Sequence, residues 1–115
     1  MFWGKKDRPQ SLDKQVTRTL SDTAVRQHVC FSGEVQGVGF RFQCQMLAEE
    51  IGLTGWCRNM YDGRVEAEFQ GERQDINKLI AQIRNRRYIR VSHVEITTIP
   101  VKQDETAFRI VYRVQ

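Results

Sequence analysis

Val29-Cys30-Phe31-Ser32-Gly33-Glu34-Val35-Gln36-Gly37-Val38-Gly39-Phe40-Arg41 decides the fold, because the hydrophobic period changes part-way along it. Val29, Phe31 and Val35 alternate with Cys30, Ser32 and Glu34, the period-two pattern of a half-buried strand. After the glycines, Phe40, Cys44, Leu47, Ala48 and Ile51 recur at helical spacing, and Gly52 ends that helix. A strand therefore passes through a glycine-rich turn directly into a helix.

Downstream, Leu53 to Arg58 reads as a second strand, followed by the turn Asn59-Met60-Tyr61-Asp62-Gly63, in which Asp-Gly is a hairpin signal. Val65, Ala67 and Phe69 alternate with Arg64, Glu66, Glu68 and Gln70, the clearest strand in the chain. Ile76, Leu79, Ile80 and Ile83 mark a second helix over about residues 72–86. Val91 to Ile99 is a strand stopped by Pro100, and Phe108, Ile110 and Tyr112 alternate with Arg109, Val111 and Arg113 in a last strand. The order β-α-β-β-α-β-β predicts an α+β fold: a ferredoxin-like α/β sandwich with an extra C-terminal strand, a mainly antiparallel sheet and two helices on one face.

Upstream the composition differs. Residues 1–26 hold Gly4, Pro9, many charges and few apolar side chains, and residues 1–27 carry +3 of the net +4. The pattern predicts a polar, flexible extension over 1–26 and one domain over 27–115, although Leu12, Val16 and Leu20 would also suit a short amphipathic helix. At 115 residues the chain suffices for one hydrophobic core. No run approaches the roughly 20 apolar residues of a membrane span. Cys30, Cys44 and Cys57 form no C-x-x-C, and with only His28 and His93 no zinc spacing can be written. These features predict reduced, mostly buried thiols, no zinc site and a cytoplasmic protein.

The glycine-rich turn is the first candidate for chemistry. Glycines let backbone N–H groups converge on one point, and the helix that follows adds its dipole, so an anion can rest there. Arg41, at the helix start, can hold two phosphate oxygens. The same spacing also suits a plain strand-to-helix turn capped by an exposed arginine. It fits neither a Walker A loop nor a dinucleotide fingerprint.

Gly33-Glu34-Val35-Gln36-Gly37-Val38-Gly39-Phe40-Arg41 resembles the acylphosphatase signature G-x-V-Q-G-V-x-F-R. Gly55-Trp56-Cys57-Arg58-Asn59-Met60-Tyr61-Asp62-Gly63-Arg64-Val65, with Gly71 beyond, resembles the second signature of that family. The resemblance covers about residues 27–113 and implies hydrolysis of acyl phosphates to a carboxylate and inorganic phosphate, with no metal and no cofactor. It implies that Arg41 and the loop amides of Val35, Gln36, Gly37, Val38, Gly39 and Phe40 bind the phosphate, and that Asn59 positions the attacking water. The expected partner is a small acyl phosphate, with phosphate as product, and the expected state is a monomer.

The chain departs from the family at several positions. Glu34 stands where the family commonly has Arg or Lys, and a carboxylate near a phosphate site is unfavourable. Cys44 replaces a hydroxyl residue one helical turn after the arginine. Arg84-Asn85-Arg86-Arg87-Tyr88-Ile89-Arg90 replaces a Gly-Pro-like turn and reads either as a solvated helix end or as a nucleic-acid patch. A catalytically weak domain of the same fold, binding protein or nucleic acid, is the rival reading. RNA-binding modules of this fold stack bases on strand aromatics. Here the outward side of the best strand offers Arg64, Glu66, Glu68 and Gln70, so no nucleic-acid partner is expected, and no membrane partner.

Overall fold

The alternation at Val65–Gly71 builds the central strand of a five-stranded sheet. A computed structural model describes residues 20–112. Along the chain it shows β1 (Val25–Glu34), α1 (Phe40–Ile51), β2 (Thr54–Asn59), β3 (Val65–Gly71), α2 (Arg73–Arg84), β4 (Arg90–Ile99) and β5 (Phe108–Val111). The strands lie in the order β4-β1-β3-β2-β5. Both β1 and β2 pair antiparallel with β3, so they run the same way with β3 between them, and α1 makes the crossover. On the flanks, β4 pairs antiparallel with β1 and β5 pairs parallel with β2. This is the expected ferredoxin-like sandwich with its extra strand.

One face of the sheet holds the core. Val29 and Phe31 of β1, Cys57 of β2, Val65, Ala67 and Phe69 of β3 and Phe108 of β5 are buried against Phe40, Cys44, Leu47 and Ala48 of α1 and Ile76, Leu79, Ile80 and Ile83 of α2. Four phenylalanines run through it. Phe31 meets Phe40 edge-on at 4.8 Å and Phe69 at 6.5 Å, and Phe69 stacks on Phe108 at 5.5 Å. Such contacts add about 0.5–1.5 kcal/mol each beyond area burial. The α1 helix ends as its sequence indicates: Gly52 takes φ 100° and its N–H bonds the Ala48 carbonyl.

The helix-free face is an ion-pair network. Arg26, fully buried, bonds Glu68 at 2.6 Å, Glu105 at 2.7 Å and the Gln70 side chain at 3.1 Å. Glu66 accepts from Arg58 at 2.8 Å and pairs with His28 at 2.6 Å. Cys30, expected to face outward, does so yet is buried, paired in the sheet between Glu66 of β3 and Glu95 of β4. The carboxylates that argue against base stacking are thus held by arginines and a histidine.

The structure begins β1 at Val25, ahead of the expected domain start at 27, because Arg26 anchors this network. Leu12 and Val16 lie outside the described residues. Among the described residues no helix is long and apolar enough to cross a membrane.

Burial raises the proton affinity of Glu66, but the bonds from His28 and Arg58 outweigh it and hold its carboxyl below the ordinary 4.5. Glu105 is likewise held down by Arg26 against the effect of burial. Depressed carboxylates contribute stability that is complete above their unfolded value and is lost as pH falls through the folded one. The thermal midpoint should therefore be insensitive to these groups down to pH 4.5 and fall below it through their titration. Glu105→Gln should cost roughly 1.5–3 kcal/mol at neutral pH and flatten the acid slope, measured by thermal melts from pH 7 to 3.

Candidate active site

Gly37 and Gly39 both sit in the left-handed region, at φ 77° and 79°, which lets the chain leave β1 and enter α1 within a few residues. A Cβ would meet nothing at either position, so the requirement is backbone conformation rather than space. Gly39 is the N-cap of α1, and no side chain caps that helix start. Its first N–H groups are thus not taken up by a capping side chain and form an anion-accepting end with the helix dipole. Arg41 projects from the first turn. Buried Phe40 pins that turn to Phe31 of β1, and the Cys57 thiol of β2 donates to the Arg41 carbonyl at 3.8 Å.

Asn59 is the last residue of β2, opposite Val65. The turn beyond it closes by Met60 N–H donating to Arg64 O at 2.9 Å and Gly63 N–H to Met60 O at 3.2 Å. Asp62 accepts from the Arg64 backbone and guanidinium, which holds its carboxyl below the ordinary value. Asn59 Oδ1 is buried and has no hydrogen-bond partner among the described residues. A buried amide oxygen without a partner costs free energy unless a ligand or solvent molecule donates to it.

The fold brings the two signatures to one open pocket of about 230 Å³. Val35, Gly37, Gly39, Phe40, Arg41 and Asn59 all line it. Two other loop members turn their side chains elsewhere. Gln36 Nε2 donates to Met60 O at 2.8 Å and to Arg64 O at 2.9 Å, joining the loop to the β2–β3 turn. Val38 lines a separate hollow with Gln43 and Arg86 to Ile89. The pocket is completed by Phe42, Gln45, Ile110 and Tyr112, which sequence reasoning did not assign to it. Phe42 falls outside the buried phase of α1, and that was the available signal. Tyr112 shares the inward phase of Phe108 and Ile110, but it lies past the end of β5 and beyond the core edge.

These residues can be compared with known proteins. The family model for acylphosphatase matches residues 27–110. The chain belongs to the acylphosphatase family. It is 41% identical over 80 residues to an acylphosphatase of Roseiflexus sp. (strain RS-1), covering 70% of this chain and 82% of that one. The structure of an acylphosphatase from Coxiella burnetii superposes with TM-score 0.73 at 36% identity, over 83% of this chain and 99% of that one. The acylphosphatase of Bacillus subtilis gives TM-score 0.71 at 31% identity, over 76% and 99%.

The departures from the acylphosphatase pattern have structural settings. Glu34 does not line the pocket; it is exposed and its carboxylate faces Arg90 at 3.7 Å. Cys44 is fully buried beside Cys57, and burial pushes its thiol well up, so it serves as core rather than as a reactive group. In the arginine cluster, Arg86 donates to Gln43 of α1 at 3.0 Å, while Arg84, Arg87 and Arg90 are exposed. Arg41 has no carboxylate partner among the described residues, and its guanidinium lies 5.4 Å from the Tyr112 ring centre.

The Gln36 bridge generates a prediction. Gln36→Glu keeps the shape but sets a carboxylate against two carbonyls. It should lower stability by about 2–4 kcal/mol and speed amide exchange over residues 60–64, whereas Gln36→Ala should cost about 1–2 kcal/mol. Thermal melts with hydrogen-exchange mass spectrometry measure both.

Proposed function

We propose that this acylphosphatase-family enzyme hydrolyses acyl phosphates by in-line attack of water on a phosphoryl group held by the Val35–Phe40 loop and Arg41. The observation that carries the reading is the convergence of Arg41, the uncapped α1 start and Asn59 on one pocket.

The division of labour follows from charge. The loop amides and Arg41 bind the phosphoryl oxygens and stabilise them as their charge redistributes. The side-chain amide of Asn59 hydrogen-bonds the attacking water and aligns its lone pair on phosphorus. The P–O bond to the acyl group breaks, and the carboxylate leaves with the electron pair. As a weak base, with a pKa of about 4–5 like other carboxyls, it needs no general acid. The protons of the water end on the released phosphate or pass to solvent. The described pocket lining carries no carboxylate, imidazole or thiol, which fits a reaction without a general base. All these groups come from one chain, so a monomer suffices. Cys30, Cys44 and Cys57 are free thiols, as suits the cytoplasmic location we propose.

Two variants separate binding from water alignment. Arg41→Ala should weaken inhibition by inorganic phosphate and abolish its stabilisation of the fold, with turnover falling as well. Asn59→Ala should lower kcat on the order of 100-fold while phosphate still raises the thermal midpoint. Normal phosphate binding in Arg41→Ala, or full turnover in Asn59→Ala, overturns the assignment.

A second measurement addresses the leaving group. Release of phosphate from benzoyl phosphate should persist in excess chelator. Phosphate monoesters, which need a protonated leaving oxygen, should turn over at least 1,000-fold more slowly, on the order of the factor that general acids contribute.

A further inference from the structure

α2 ends at Arg84, and the segment that leads from it into β4 carries a charge that the helix does not explain. Between Asp75 and Glu95 the chain has Lys78, Arg84, Arg86, Arg87 and Arg90 and no acidic residue. Arg84 lies in the last turn, where a cation complements the dipole, but that effect fades within a turn and gives Arg87 and Arg90 no helical reason. Arg86 is tied to the fold, its Nε donating to Gln43 of α1 at 3.0 Å. Of the four arginines, Arg90 alone faces a carboxylate among the described residues, Glu34 at 3.7 Å on the exposed surface.

The segment is held in a fixed shape. The N–H groups of Asn85 and Arg86 bond Gln82 O and Ile83 O and close the helix end. Ile89 N–H donates to Arg86 O at 3.3 Å and the Ile89 side chain is buried in the core, so Arg87 and Tyr88 stand at the tip of a turn. Tyr88 is 76% exposed, and the Arg87 guanidinium lies 6.0 Å from its ring centre. An open hollow of about 230 Å³ lies between this turn and the start of α1, lined by Val38, Gln43, Arg86, Arg87, Tyr88 and Ile89. A large ring left in water between arginines adds nothing to the core.

We propose that the turn over residues 86–89, flanked in sequence by Arg84 and Arg90, is a binding site for single-stranded nucleic acid. Guanidinium forks take the phosphates of the strand, and an unstacked base lies on the Tyr88 ring beside the hollow. Every base has a flat face, so the contact tolerates any sequence. The turn is neither the helix nor the two-stranded ribbon that fits a duplex groove, which favours a single strand. An acidic peptide matches the charge but supplies no flat group for Tyr88. The outward side of β3 speaks against base stacking there, but the segment after α2 is a different surface. No residue that lines the hollow also lines the pocket of Arg41, so the site does not depend on the proposed hydrolysis.

Binding is measured on the full chain by fluorescence anisotropy, with a labelled single-stranded RNA of about 12 nucleotides, within the site sizes of single-strand binders. The Kd at low salt should be on the order of 10 μM, and the association constant should fall with salt at a log–log slope of about −2 for three phosphate contacts. Tyr88→Ala should weaken binding about tenfold while Tyr88→Phe keeps it, the signature of stacking rather than of a hydroxyl contact. Arg87→Gln should weaken binding and reduce the slope by about 0.7. Arg41→Ala should bind the strand as the native protein does. Arg87 and Tyr88 are exposed, so these variants should fold, as ligand-free thermal melts will show. Absence of binding at low salt, or a polyglutamate peptide of equal charge binding as tightly as the RNA, overturns the proposal. So does a duplex that binds as tightly as the strand, because it leaves no base free for Tyr88. Binding unchanged in both Tyr88→Ala and Arg87→Gln overturns it as well and assigns the affinity to the basic side chains of residues 1–27.

Discussion

The side-chain amide of Gln36 ties the loop after β1 to the β2–β3 turn, across the gap that sheet pairing leaves between them. Its two N–H groups reach Met60 O and Arg64 O, at the two ends of the β2–β3 turn. Gln36 lies in the loop that leads into Arg41, and Met60 follows Asn59. The groups we propose to hold the phosphate and the water are thus registered by one planar group with both donors used. Each such bond contributes only about 0.5–1.5 kcal/mol to stability. Its weight lies in geometry, since misplacement of a reacting group by about 1 Å can cost about 100-fold in rate. The phenylalanine chain from Phe40 to Phe31 and the Cys57 thiol on the Arg41 carbonyl hold the other end of the same frame.

Charge is divided between the two sides of the sheet. On the helix-free face Glu66, Glu68 and Glu105 are paired with Arg26, Arg58 and His28, so they cancel locally. At the pocket Arg41 has no such partner among the described residues. A cation that faces an aromatic ring rather than a carboxylate keeps its full attraction for an anion, because binding need not first break an ion pair. Had one of those carboxylates reached the pocket, it would have opposed the phosphate directly.

The order of elements was readable because it rests on local periodicity. Phe40, Cys44, Leu47 and Ala48 face one side of a helix whatever surrounds it, and Val65, Ala67 and Phe69 one side of a strand. Arg41 and Asn59 were readable through two signatures whose residues are close in sequence. What periodicity could not supply was the face opposite the core: Arg26 looked like part of a polar extension, yet it is fully buried. Its partners Glu68 and Glu105 are far off in sequence and become neighbours only when β1 pairs with β3 and the segment before β5 folds over them.

The sequence alone determined the βαββαβ plan with its extra strand, the family, and the residue types at the glycine-rich turn, because each is encoded within a few residues. Tertiary structure decided the rest. It turned Gln36 away from the pocket to clamp the hairpin, and it set Glu34 against Arg90. It also carried β5 past the core edge, so that Tyr112, in phase with buried Phe108, emerges beside Arg41. These outcomes depend on contacts between segments distant along the chain, and such contacts exist only once the sheet order β4-β1-β3-β2-β5 has formed.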